Sequence, residues 1–410
     1  MTNPQTVAAP LRRDRYTITT YGTFAVWGWF LYSFSPSVSL LAEDLGVSKA
    51  AGGLHGTAMA VGAISASFFT PRLVAAIGRR NAVALGLLVV AAGVVGLVVG
   101  PVLAATLASM FVLAVGGNVA VSASQVGISD HHGPAAPAAI TEANGVGSGV
   151  GLFAPLAVGA AVGLGWGWRA AVVTTVVLAV LVAWATSRLP DGGRRPAAAT
   201  APAETPEDAH AVEVRGAAAP VKALGPGSVW FLTTLVAAVA LENATTYWST
   251  SLVLERTGAD ESIATATTAG LIAGMTAMRF VVGPLTRRWH SAHLLAVSFG
   301  ISVVGWAVLW TATSPAVALA GLAVAGFGYG AQYPLSVALV LGIAREAADR
   351  AQAVATFTGG AAVGLAPFIL GAVADAVGMH TAFLAVPVLA ALGGVGAVLG
   401  WRRAHAAALL

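Results

Sequence analysis

Apolar residues in this chain come in long runs separated by short polar stretches. Twelve runs approach the roughly 20 residues a helix needs to cross the hydrocarbon core of a bilayer. They cover residues 18–42, 51–73, 81–100, 104–129, 138–163, 168–187, 228–253, 262–284, 292–312, 315–343, 352–377 and 381–401. Each predicts a membrane-crossing helix; only Gly100-Pro101 separates the third from the fourth. The first run follows Arg12-Arg13-Asp14-Arg15, is too long for a signal-peptide core and lacks a small-residue cleavage site. It is expected to be a retained span. Residues 189–226 lose the hydrophobic period, with breakers from Pro190 to Pro196, an Ala/Pro/Glu-rich stretch, and Gly225-Pro226-Gly227. A flexible linker is expected there, dividing a bundle at 1–188 from a second at 227–410. The predicted class is an all-α membrane protein, twelve transmembrane helices in two pseudo-symmetric six-helix bundles.

Composition agrees with that picture. Of 410 residues, 57% are hydrophobic and only 9% charged, against roughly 25% charged in soluble domains. The bilayer is the solvent that suits such a chain, and the 49 glycines suit close helix approach within it. With no cysteine, disulfides, thiol catalysis and cysteine metal sites are excluded. The formal charge of +4 would suggest nucleic acid in a soluble protein; here the basic residues fall between the apolar runs. If the N-terminus is inside, the cytoplasmic set is Arg12, Arg13, Arg15, Arg72, Arg79, Arg80, Arg188, Arg194, Arg195, Arg215, Lys222, Arg287, Arg288, Arg345, Arg350, Arg402 and Arg403. The outer set is Lys49, Arg169 and Arg256, and Arg279 falls within a span. This asymmetry places both termini and the linker in the cytoplasm, in a multi-pass protein of the cytoplasmic membrane.

The two halves repeat each other. In the fifth run, Ala154-Pro155 is followed after three residues by Gly159-Ala160; in the eleventh, Ala366-Pro367 is followed after three by Gly371-Ala372. Arg79-Arg80 follows the second run and Arg287-Arg288 the eighth. Repeated halves around a midplane cavity are a recurring plan among secondary transporters. At these residues the chain resembles the major facilitator superfamily. Its signature after the second span is G-x-x-x-D-R/K-x-G-R/K-R/K. Gly78-Arg79-Arg80 fits the end of it, while Pro71, Ala75 and Ala76 depart from the Gly, Asp and basic positions. In the second copy Gly283 and Arg288 fit the start and Arg287 replaces the Asp. The resemblance implies that these loop residues take part in gating. Gly151, Pro155 and Gly159 partly match the family's antiporter motif, and with Pro367 and Gly371 they are candidates for helix packing. Gly165-Trp166-Gly167-Trp168-Arg169 is also similar to the family. The resemblance further implies a cavity lined by the first, fourth, seventh and tenth helices.

Ionisable groups inside a bilayer are costly, which makes them informative. Glu242 lies near the middle of the seventh run, followed by Asn243. It is the candidate proton carrier, with a neutral hydrogen-bonding role between helices as the plainer reading. Arg279, in the inner third of the eighth run, suits either an anionic substrate or snorkelling to the interface. The two are expected at different depths, without a direct ion pair. Two stripes share one helix face each by their i, i+3, i+4, i+7 or similar spacing: Tyr329, Gln332, Tyr333 and Ser336 in the tenth run, and Asn118, Ser122, Gln125 and Ser129 in the fourth. Each is expected to face a cavity or a neighbouring helix. Trp27, Trp29, Tyr32 and Ser33 are further cavity candidates. Glu142 should interact with the start of the fifth helix, Asp375 should cap or pair near the outer end of the eleventh, and Asp130-His131-His132 is a poor chelator without further ligands.

The chain has no G-x-x-x-x-G-K-S/T phosphate loop, no H-E-x-x-H and no G-x-S-x-G. The expectation is therefore a secondary active transporter of a small organic solute, without cofactor or metal, not an enzyme and not a nucleic-acid binder. It should work as a monomer in the lipid bilayer and couple to protons. The partial antiporter motif leans toward export of an amphipathic compound. Uptake of a sugar-like or other polar metabolite is the alternative, and a membrane enzyme or non-transporting sensor is the alternative of another class.

Overall fold

The computed structural model describes residues 13–190, 225–286, 288–344 and 348–408. It contains twelve helices long and apolar enough to cross a membrane, and no strand among the described residues. The first six are α1 Arg15–Asp44, α2 Lys49–Ile77, α3 Arg79–Val99, α4 Leu103–His132, α5 Ala136–Gly163 and α6 Trp168–Ser187. The second six are α7 Ser228–Thr257, α8 Glu261–Thr286, α9 Ser291–Thr311, α10 Pro315–Ala344, α11 Ala348–Val377 and α12 Ala385–Ala408. Most extend past the predicted spans, because helices continue beyond the hydrocarbon. The chain does break at Gly100-Pro101, between α3 and α4. The predicted linker lies outside the described residues over 191–224.

Local chemistry sets several helix ends. Asp14 caps α1, accepting from the Thr17 amide at 2.9 Å, and Ser48 caps α2, accepting from Ala51 N at 3.2 Å. Within α1, Ser35-Pro36-Ser37 tightens to a 3₁₀ turn, since Pro36 cannot donate to the α-helical ladder. Gly167 before α6 and Gly378 before the single turn Met379–Ala382 share one backbone conformation, φ 71°, ψ 167° and φ 83°, ψ 157°, which suits glycine.

The same pattern of packing builds each half. In the first, α1 packs on α5 and α6, α2 on α4, and α3 on α4 and α6; in the second, α7 packs on α11 and α12, α8 on α10, and α9 on α10 and α12. The likeness extends to atoms. Asp44 at the end of α1 accepts from Trp168 Nε1 at 2.8 Å and pairs with Arg169 at the start of α6. Glu255 near the end of α7 accepts from the amides of Met379 and His380 at 3.1 and 3.3 Å. Both carboxylates thus anchor the start of their half's last helix.

Two extensive contacts join the halves, α2 with α11 and α5 with α8, and the C-terminal end of α1 adds a smaller one with α7. At the end carrying Lys49 they are closed. A β-carbon on Gly53 would lie 2.6 Å from the Pro367 carbonyl, and one on Gly371 2.6 Å from that of Lys49. Asp375 accepts from the amides of Lys49 and Ala50 at 2.9 and 2.8 Å, so it caps α2 from the other half. Gly163 faces Ser262 across α5 and α8. Toward the end carrying Arg79 and Arg288 the same helices part: Gly145, Gly149, Gly283 and Gly360 have open space where a side chain would sit. Large apolar side chains such as Val99, Leu181 and Val388 stay exposed, as lipid contact requires.

Candidate functional site

A plug of aromatic side chains closes the space between the halves on one side. Phe34, Tyr247 and Trp248 are fully buried. Phe34 and Tyr247 meet edge-on with ring centroids 6.5 Å apart. Trp248 Nε1 donates to the Pro367 carbonyl at 2.8 Å and so ties α7 to α11. Thr57 of α2 adds a hydrogen bond to the Gly364 carbonyl of α11, across the halves.

Glu242 sits between this plug and the open end, about midway along α7. It lies deep in the bundle yet is partly accessible, as a side chain lining an internal space must be. Arg279, in the last third of α8, is exposed. It donates to Ser148 Oγ of α5 at 2.7 Å, across the two halves, and adjoins the Tyr32 hydroxyl of α1. Glu242 is within electrostatic reach of Arg279, Tyr32, Tyr329 and Tyr333, but no carboxylate lies within 4.0 Å of Arg279 among the described residues. The sequence places Glu242 and Arg279 at separate depths; the structure has them sharing one space without an ion pair. Gly151 makes that possible, because a β-carbon there would strike the Tyr32 ring. Asn243 turns back to its own helix, donating to the Val239 carbonyl at 2.9 Å.

The α10 stripe divides. Tyr329 is buried and its hydroxyl meets Thr245 Oγ1 of α7 at 3.0 Å. Gln332, 0% exposed, donates to Ser302 Oγ at 3.2 Å and reaches the Ser298 carbonyl at 3.4 Å, so its amide faces α9. Ser336 is buried. Tyr333 is 47% exposed and is the stripe's member nearest the open space. The reason is angular: adjacent residues on a helix lie about 100° apart, so Gln332 and Tyr333 occupy opposite edges of one arc. In α4, Ser122 and Ser129 are exposed and Asn118 and Gln125 partly so, while Val119, Ala120, Ala123 and Ser124 are buried. The polar stripe of α4 is thus accessible, with Val126 exposed beside it. Asn118 donates to its own Ala114 carbonyl at 2.9 Å.

The remaining candidates are structural in their contacts. Gly78 precedes α3 with φ 82°. Arg79 pairs with Asp130 at the end of α4, and Arg80 donates to the Leu189 carbonyl at 2.9 Å. The pairing for Arg79 therefore comes from α4 rather than from a loop aspartate. Arg288 is exposed, and Arg287 lies outside the described residues. Pro155 and Pro367 lie inside α5 and α11, and Gly159 lets α5 pack on Ser262 of α8. Glu142, in the second turn of α5, pairs with Arg13 and accepts from Tyr21 at 3.1 Å. Burial raises the Asp14 carboxyl, but hydrogen bonds from Thr17 and from His131 outweigh it and hold it at about 2. His131 is engaged there, His132 meets Thr17 at 2.8 Å, and no cluster of three metal-ligand side chains occurs among the described residues.

Sequence reasoning missed Ser148, since a lone serine in an apolar run carries no signal. It also missed Asp44 and Glu255. There a signal existed: each carboxylate precedes the residue it anchors by the same 124 positions. His55 was missed too. It is buried and bridges the Gly52 carbonyl at 2.9 Å and Thr106 Oγ1 at 3.0 Å, joining α2 to α4.

Twelve helices, the repeated packing and the paired contacts between halves describe one architecture. The family model of the Major Facilitator Superfamily matches residues 20–297 and 230–409. The chain belongs to this superfamily. It is a multi-pass membrane protein and a transporter of that family, whose solved neighbours are transporters too. A nucleoside transporter, NupG, has a TM-score of 0.74 at 12% identity, covering 95% of this chain and 98% of that one. A D-xylose-proton symporter has 0.70 at 15%, covering 95% and 97%. A bacterial homolog of the human lysosomal transporter Spinster, in an inward-facing and occupied conformation, has 0.68 at 15%, covering 95% and 96%. An uncharacterized transporter of Sinorhizobium fredii is 33% identical over 170 residues, a match spanning 41% of this chain and 45% of that protein.

Proposed function

We propose that this superfamily member is a proton-coupled secondary transporter whose substrate site is the space between Tyr32, Glu242, Arg279 and Tyr333. The observation that carries this reading is a carboxylate midway along α7 and a guanidinium in the last third of α8 within electrostatic reach of each other, between a plug at one end and an opening at the other. Alternating access requires one site that each side reaches in turn. The distribution of Lys and Arg makes the open end cytoplasmic, together with the termini and the linker. Since the chain has no cysteine, a single cysteine at Ala201 tests this: it should react only from the inside, and labelling of intact cells by an impermeant reagent refutes the orientation.

Glu242 is the coupling group in this reading. An ionised carboxylate at that depth is costly, so one state of the cycle holds it protonated. Direction has two readings. Export of an amphipathic compound draws on the Gly151-Pro155-Gly159 pattern and on Tyr32 and Tyr333. Uptake of a polar metabolite draws on the accessible Asn118, Ser122, Gln125 face of α4, which would be unfavourable against lipid. Transport of a labelled compound panel into proteoliposomes, with and without a proton gradient, tests the function. Accumulation that follows the gradient supports it, and indifference of every transported compound to the gradient contradicts proton coupling.

A further inference from the structure

We infer that this space binds a small organic anion with an apolar body, and that Arg279 takes its carboxylate or equivalent charged group. The inference rests on the cavity being the substrate site and adds the chemical class. Of 21 Lys and Arg, Arg279 is the one that lies several residues inside an apolar run; Arg72 and Arg169 fall at run ends. Its hydrogen-bond partners, Ser148 and Tyr32, are neutral hydroxyls. A guanidinium offers five N–H donors in a planar fork, so two partners leave donors for a solute. A cation inside a span without an opposite charge is unfavourable. With Glu242 protonated, a neutral solute would leave the guanidinium uncompensated, and a cationic one would be repelled. An anion supplies the missing charge and suits the bidentate geometry. The aromatic rings of Tyr32 and Tyr333 border the same space and suit an apolar body.

Glu242 gives the inference a second consequence. The charged and titratable groups facing it are Tyr32 on α1, Arg279 on α8, and Tyr329 and Tyr333 on α10. Phenols and guanidinium ordinarily keep their charge state below about pH 9, whereas an ionised carboxylate inside a bilayer is costly, so Glu242 is the group that changes. An ionised Glu242 and an anionic solute compete for one guanidinium. The anion therefore binds with Glu242 neutral, and the proton, drawn from the aqueous side, enters with it. Proton and anion then move in the same direction, which favours the uptake reading over export by antiport.

The test is equilibrium binding to the full-length chain in lipid nanodiscs, with acetate, butyrate, benzoate and succinate each set against its neutral amide. At least one carboxylate should bind while its amide does not. Arg279→Gln should weaken that binding at least about 30-fold, and Arg279→Lys should retain part of it. Glu242→Gln should remove the pH dependence of binding, which in the unaltered protein is a loss of about tenfold per unit above the titration of Glu242. Should Arg279→Gln fail to fold, Arg279→Lys and Glu242→Gln carry the test. The inference is overturned if no carboxylate binds, if amides bind equally well, or if Arg279→Gln leaves carboxylate binding intact. Neutral ligands that depend on Tyr333 but not on Arg279 would keep the cavity as the site and remove the anion. Ligands indifferent to Tyr333→Ala, Glu242→Gln and Arg279→Gln alike would remove the cavity reading as well.

Discussion

The two main contacts that join the halves are built from corresponding helices but hold different chemistry. Between α2 and α11 the partners are backbone and neutral side chains: Gly53 against Pro367, Gly371 against the Lys49 carbonyl, Thr57 to the Gly364 carbonyl. Its one carboxylate, Asp375, sits at the rim as a helix cap. Between α5 and α8 the packing is similar at the closed end, yet further in a guanidinium crosses the halves, from Arg279 to Ser148. The comparison separates sealing from recognition. A seal is best made of groups that satisfy one another completely, whereas a binding site keeps donors in reserve. Asp44 and Glu255 show that duplication preserves the first kind of feature in both halves, while the Arg279 position breaks the symmetry.

Substitutions can break that comparison. The largest effect should come from Gly53→Val. Its β-carbon would lie 2.6 Å from the Pro367 carbonyl and 2.7 Å from Phe368 Cα, and backbone cannot yield as a side-chain tip does. We expect a loss of about 1–3 kcal/mol or more, seen as a lower apparent Tm in detergent. Next comes Asp375→Ala, which removes the cap on two α2 amides and should cost about 1 kcal/mol. The smallest effect should be that of Gly145→Ala, with open space around the new methyl group, changing stability by less than about 1 kcal/mol. Tolerance of Gly53→Val together with collapse of Gly145→Ala would mean that the closed and open ends are misassigned.

Much of this fold was legible in the sequence, because a bilayer forces an apolar run for every crossing and leaves basic residues in the loops. The depth of Glu242 was legible for the same reason. Side-chain direction was less so. Spacing put Gln332 and Tyr333 on one stripe, but a stripe of about 100° is wide enough for one edge to meet α9 and the other to meet open space. The nearness of Arg279 to Glu242 depends on how helices tilt, which residue counting along separate spans does not capture. Ser148 needed the partner helix to be seen at all.

The central claim is that Glu242 couples solute movement to protons from the space it shares with Arg279. Glu242→Gln keeps the size and hydrogen-bonding capacity of the side chain while removing its titration. The decisive measurement is transport by this variant in proteoliposomes, under a proton gradient and in equilibrated exchange. We predict that gradient-driven accumulation is abolished while exchange of solute across the membrane persists. Undiminished proton-driven accumulation in Glu242→Gln would contradict the account.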